Sequence, residues 1–118
     1  VAGVMTSHTV YPQLDPDLPA TLSPRILGGV LREELGYDGM VVTDDLEMGA
    51  IENEGTVADA ALVAFKAGAD LLLICHEHSK IIAAYGLLSK AVGGEISEER
   101  VRRSLARIGE VRRRFAGA

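Results

Sequence analysis

Tryptophan is absent from this chain, aromatic residues make up only 4%, and Cys75 is the single cysteine. With so few rings the core must rest on Leu, Val, Ile and Ala. One cysteine excludes an internal disulfide framework and fits a reducing compartment. No apolar run approaches the roughly 20 residues that a bilayer-spanning helix needs, and no charged-then-apolar leader is seen. A cytoplasmic bacterial protein is therefore expected; secretion of a longer parent stays open, because the chain starts at Val1 rather than at Met. The net charge of −5 argues against non-specific nucleic-acid binding. Seven of the twelve basic residues do fall between Arg100 and Arg114. Flanking an apolar stripe as they do, they read as the solvated face of a helix.

What is present is an alternation. At 118 residues, with 47% hydrophobic and 25% charged residues, the chain suits one globular domain with a real core. Residues 1–7 read as a first strand. Residues 9–23, with Pro12, Pro16 and Pro19, show neither helical nor strand period and read as a long loop of the kind that carries function. Ser23 and Pro24 form a helix start, and Ile26, Leu27, Val30, Leu31 and Leu35 follow at helical spacing up to Gly36. Met40 to Thr43 read as a second strand, buried on both faces. A partly acidic loop over Leu46–Gly55 follows. Thr56 caps a helix bearing Val57, Ala60, Ala61, Ala64 and Phe65, which Gly68 ends. Asp70 to Cys75 form a third apolar strand. Helices then open at Ser79 and Ser97, the second with the stripe Val101, Leu105, Ile108, Val111 and Phe115. Gly28 and Gly29, inside the first helix, suggest close packing against a neighbour.

Strands alternating with amphipathic helices imply an α/β fold with a parallel sheet. The repeat from Met40 to Leu71 is about 31 residues, one-eighth of a (β/α)8 barrel of ~250 residues. The favoured reading is the last three βα units of such a TIM barrel plus a C-terminal helix, with strands near 1–7, 39–44 and 70–75 and the whole of 1–118 a partial barrel domain. A complete three-layer sandwich is the alternative. Either way two sheet edges are open and available for self-association.

The chemistry concentrates at strand ends. Asp44 and Asp45 close the run GMVVTDDL (39–46), where active sites of parallel α/β proteins collect. All three histidines, His8, His76 and His78, also follow strands. A carboxylate-based hydrolase, with an aspartate as nucleophile, is one reading. A metal-dependent hydrolase is another, weakened because residues 75–78 are consecutive and match no ligand spacing. Asp45 could simply cap the segment from Leu46, and Cys75 reads as a buried small hydrophobe.

The motifs VMTSHTVYP (4–12), PATLS (19–23), LREELG (31–36), GMVVTDDLEM (39–48) with Ala50 and Ile51, and AGADLLL (67–73), taken in order, resemble family-3 glycoside hydrolases. The nearest likeness is to the β-N-acetylhexosaminidase (β-N-acetylglucosaminidase) branch. The resemblance implies a retaining mechanism without cofactor or metal, and Asp44 as nucleophile. It implies that Asp45, Leu46 and Met48 shape the sugar site, and that His8 lines the pocket from the end of the sixth barrel strand. It implies a parent enzyme that cleaves terminal β-linked N-acetylglucosamine from peptidoglycan or chitin fragments. The branch's acid/base histidine belongs to a Lys-Phe-Pro-Gly-His-Gly-like segment with no counterpart here. None of His8, His76 or His78 matches it, so the 118-residue chain alone is expected to be inactive. A non-catalytic barrel fragment acting through self-association or complementation, and phosphate rather than water as acceptor, stay open.

Overall fold

The computed structural model describes residues 1–52 and 55–117; positions 53 and 54, part of the expected Leu46–Gly55 loop, and position 118 lie outside the described residues. Strand β1 (Gly3–Met5), strand β4 (Met40–Asp45) and strand β5 (Leu71–Leu73) form a parallel sheet in the order β1-β4-β5. Among the described residues the α-helices are α1 (Gly49–Glu52) and α2 (Val57–Ala67) between β4 and β5, and α3 (His78–Ala91) and α4 (Glu98–Phe115) after β5. The α/β reading with a parallel sheet holds. Among the described residues no helix is long and apolar enough to cross a membrane.

Most helix limits lie where local chemistry places them. The Thr56 hydroxyl accepts from the Asp59 N–H and the Ser97 hydroxyl from that of Arg100, each satisfying a first-turn donor. Gly36 and Gly68 end helices with φ of 65° and 137°, values a side chain would resist. Two limits move: α3 begins at His78, behind Glu77 rather than Ser79, and α1 occupies part of the stretch read as loop.

Three corrections concern the first half of the chain. Residues 9–23 are not a structureless loop. They hold an antiparallel hairpin of β2 (Val10–Tyr11) and β3 (Asp15–Pro19), then a 3₁₀ turn over Ala20–Leu22. Its prolines are tolerated because the hairpin is only two strands wide, so both are edges. The buried Asp15 carboxylate organises it, accepting from the N–H groups of Asp17 and Leu18 and from the Ser23 hydroxyl at 2.6 Å. Those donors hold its carboxyl below the usual range, the Ser23 contact contributing most. The Ser23 oxygen in turn caps the next helix through the Ile26 N–H.

That helix, Arg25–Glu34, is π-helical rather than α, closing with the Leu35 N–H on the Val30 carbonyl. Gly28 and Gly29 sit inside it, and a Cβ at either would meet nothing within 4 Å, so close packing does not explain them. The tight approach belongs to Gly68, where a Cβ would lie 3.2 Å from the Leu27 Cβ.

The core is small-residue rich. Val41, Leu46, Ile51 and Leu27 pack with Ala60, Ala61, Ala64 and Ala67 of α2 and Ala84 of α3. In β4, Val41 and Thr43 are fully buried while Met40, Val42 and Asp44 are only half-buried. The strand is thus fully covered on one face, not both. The apolar stripe of α4 is likewise open in part, with Leu105 and Phe115 exposed.

Nor is the Arg-rich helix simply a solvated face. Asp70, buried just before β5, draws two of that helix's arginines inward, Arg100 and Arg107, together with Arg32 from the π-helix. Its Oδ2 accepts from Arg32 and from the Val41 N–H, both at 2.9 Å. Its Oδ1 accepts from Arg100 and Arg107, each at 3.3 Å, and from the Ser104 hydroxyl at 2.6 Å. Arg100 also stacks over the Phe65 ring at 4.2 Å.

Candidate active site

The register of β4 against β5 decides how Asp44 is presented. Val42 pairs with Leu71 and Asp45 with Leu73, so two β4 residues stand opposite the single Leu72. Thr43 and Asp44 therefore form a β-bulge at the C-terminal edge of the central strand. A bulge bends the strand and re-aims its side chains, and such features recur beside active sites. The Thr43 hydroxyl repairs the ladder by accepting from the Leu73 N–H at 3.0 Å.

Three carboxylates crowd this rim, and their surroundings differ. Asp45 accepts at Oδ1 from the N–H groups of Glu47 (3.1 Å) and Cys75 (3.2 Å), and its Oδ2 lies 3.1 Å from His76 Nε2. Desolvation opposes its ionisation, but those two N–H groups and His76 outweigh it, so its pKa lies below the ordinary value. Glu47 behaves likewise. Its side chain is 3% exposed and accepts from the N–H groups of His76 and Glu77, with Lys80 Nζ 3.5 Å away. Desolvation is again outweighed by the backbone donors and by Lys80, and the pKa falls. Both carboxylates are committed to holding the β4 end against the turn between β5 and α3.

Asp44 is different. Its Oδ1 accepts the Asp45 N–H at 2.8 Å, and its other oxygen has no protein partner among the described residues. A carboxylate fixed at one oxygen and open at the other can attack an electrophilic carbon or accept a proton.

His8 reaches the same edge from β1. Its Nε2 donates to the Asp45 carbonyl at 2.8 Å, and its Nδ1 lies 2.7 Å from the hydroxyl of buried Thr21. Thr21 is bonded to Thr6 and Ser7 as well. Both ring nitrogens of His8 are thus used within the protein, so it grips the backbone beside Asp44. Met48 stands just before α1 and is 44% exposed.

The remaining sequence candidates separate. His76 is an exposed partner of Asp45 and His78 is an exposed residue of α3's first turn. Among the described residues no three His, Cys, Asp or Glu side chains converge as a metal would require. Cys75 is exposed, contrary to its reading as a core residue, because β5 ends two residues earlier at Leu73. Desolvation first, then Asp45, Glu47 and Asp44, push its thiol up and away from the reactive thiolate. The tethering roles of Glu47 and Thr21 were not readable from the sequence, since both depend on partners far along the chain.

The model of the glycosyl hydrolase family 3 N-terminal domain matches residues 1–111. A β-hexosaminidase of Alkalilimnicola ehrlichii is 45% identical over 82 residues, 70% of this chain and 23% of that protein. A family 3 β-N-acetylglucosaminidase from Paenibacillus superposes over 98% of this chain and 22% of its own, with a TM-score of 0.95 and 48% identity. The β-N-acetylglucosaminidase from Thermotoga maritima superposes over 92% of this chain and 24% of its own, with a TM-score of 0.84 and 34% identity. The chain thus spans less than a quarter of the length of each of these relatives. It belongs to glycosyl hydrolase family 3, within that family's N-terminal domain.

Proposed function

We propose that this chain is the nucleophile-bearing portion of a retaining β-N-acetylglucosaminidase, comprising the sixth to eighth βα units of a (β/α)8 barrel and the helix after them. The observation that carries the reading is Asp44: a carboxylate on a bulge at the edge of the central strand, one oxygen held and one open, in a family 3 chain. The one-sided cover of β4 supports the barrel, since the uncovered face would line a barrel interior.

In this mechanism an Asp44 oxygen attacks the anomeric carbon of a terminal β-linked N-acetylglucosamine. The bond to the leaving oxygen breaks, and that oxygen takes a proton from an acid outside this chain. A glycosyl-aspartate ester results; water then attacks the same carbon, giving its proton to the now deprotonated acid, and the bond from that carbon to the Asp44 oxygen breaks, releasing the sugar and regenerating the carboxylate. The Asp45 N–H steadies the nucleophile at Oδ1. Asp45, gripped at its carbonyl by His8 and at its side chain by Glu47 and Cys75, fixes the backbone from which Asp44 projects. Met48 offers an apolar wall beside the sugar. The substrates are N-acetylglucosaminides of peptidoglycan or chitin fragments, and no cofactor takes part.

The test is trapping. A fluorinated N-acetylglucosaminyl donor that forms the ester quickly and hydrolyses slowly is expected to label the native-length protein on the peptide holding Asp44, as read by mass spectrometry. Asp44→Asn should lower kcat/KM by about 10⁴-fold or more, the scale for losing a nucleophile. Label on another residue, or turnover by Asp44→Asn near the unaltered rate, would refute the assignment. Repeating turnover with phosphate present and assaying for the sugar 1-phosphate distinguishes the two acceptors.

A further inference from the structure

We infer that a cleft at the opposite edge of the sheet from Asp44 binds a phosphate group, free or as the ester of a small molecule. The cleft lies where β4 and β5 begin, beside Gly68 and Asp38. With β4 rising about 3.3 Å per residue, it stands roughly 17 Å or more from the nucleophile. Its volume is about 360 Å³, at the small end of the range for organic ligands and enough for a phosphate with a short organic group.

Charge is the first reason. Arg32, Lys66, Arg100, Arg103 and Arg107 line the cleft, faced among the described residues by Asp38 at the rim and Asp70 beneath, a formal excess of three positive charges. In a chain of net charge −5 such an excess is a local concentration, not a reflection of composition.

Unused donors are the second. Asp70 and main-chain carbonyls hold three of the arginines in place. Arg32 donates to the carbonyls of Tyr37, Gly39 and Gly68, and Arg100 to those of Phe65 and Ala69. The bonds to Phe65, Gly68 and Ala69 occupy carbonyls at the C-terminal end of α2, whose negative dipole end would otherwise repel an anion. Arg107 spends three of its five N–H groups, on the Asp38 carbonyl, the Asp38 carboxylate and Asp70. Lys66 and Arg103 make no hydrogen bond or ion pair among the described residues. Arg32 and Arg100 each spend four of their five N–H groups within the protein, so the donors left for a ligand are two on the preordered Arg107, the guanidinium fork of Arg103 and Lys66 as a mobile point charge, equipment suited to phosphate.

Within the cluster, burial first and then the like charges of Arg107 and Arg32 press the Arg100 pKa below its ordinary value despite Asp70, whereas at Arg107 burial is outweighed by Asp38 and Asp70, which hold its pKa above the ordinary value. Holding Asp70 in place requires fewer than five cations; the surplus is what an anion would neutralise.

The experiment is calorimetric titration of the native-length protein with inorganic phosphate and, separately, glycerol phosphate, against sodium chloride of matched ionic strength. The expectation is saturable binding of at least one of them with a Kd of about 1 mM or below, absent with chloride. The Lys66→Gln/Arg103→Gln pair should weaken it at least tenfold, and Arg103→Lys should retain most of it. Both positions are exposed and carry no structural contacts, so the double variant should keep the parent's melting temperature without ligand. Tighter binding of the ester identifies an esterified ligand, and equal or weaker binding identifies free phosphate. Heat that matches chloride, or binding unmoved by the double variant, would overturn the inference. Trapping at Asp44 does not depend on either result.

Discussion

Removing the Asp70 carboxylate should be the most damaging single change available in this chain. Its side chain is 0% exposed and receives five donors: three arginines, the Ser104 hydroxyl and the Val41 N–H. Asp70→Ala leaves Arg32, Arg100 and Arg107, each under 20% exposed, as like charges without their shared counter-ion. Breaking a buried pair by deleting one partner costs about 3–5 kcal/mol. A chain of 118 residues has a total stability of roughly 6–18 kcal/mol, so the loss is a large share of it. At this size 1 kcal/mol moves the melting point by about 3–5 °C, which puts the expected fall at roughly 9–25 °C. Urea unfolding at neutral pH measures it directly. The control is Glu98→Ala, which breaks an ion pair with Arg102 whose side chains are 67% and 70% exposed, and should cost under about 1 kcal/mol. If Asp70→Ala stayed within about 1 kcal/mol of the parent, the account of a buried hub would be wrong.

Three further outcomes follow from the geometry. Thr43→Val keeps the shape of the bulge but leaves the Leu73 N–H without its acceptor, and should cost about 1–3 kcal/mol; denaturant unfolding checks it, and a neutral result would mean the hydroxyl does not hold the bulge. Gly68→Ala forces a side chain at φ 137° against Leu27 and should destabilise, whereas Gly28→Ala has open space and a helical backbone and should be neutral or stabilising by up to about 1 kcal/mol; equal effects in thermal melts would refute the distinction. Asp45 and Glu47 have folded pKa values below their ordinary 3.8 and 4.5, so what they contribute is fully present above those values and is lost as pH falls through the folded ones. Stability should therefore be level from about pH 5 to 8 and fall below about pH 4, with a shallower acid slope in Glu47→Gln; an unchanged slope in that variant would exclude the tether.

What could be read from the sequence and what could not divide along the range of the interactions involved. Thr56 and Ser97 as caps, and Gly36 and Gly68 as stops, act within a turn of the residues that betray them, and each lies where the local pattern places it. The parallel order of three strands follows from alternation, which is also local. The hairpin over residues 10–19 escaped because its prolines obey edge-strand rules, and nothing in residues 9–23 says that the strand has only edges. The Asp70 hub escaped for a sharper reason. Arginines seven residues apart along α4 look the same whether they face water or a carboxylate thirty or more residues away, and only packing distinguishes the two.

The site shows both regimes at once. That carboxylates would gather at a strand end was legible, because apolar runs end where they end. Which aspartate is uncommitted was not, since it depends on Thr43 replacing a ladder acceptor for Leu73 and on Cys75 and Glu47 saturating Asp45. The family resemblance named Asp44 by position. The bulge supplies a physical reason for the same choice: at two adjacent aspartates, one extra residue in β4 leaves one carboxylate bound into the strand end and the other with an open oxygen.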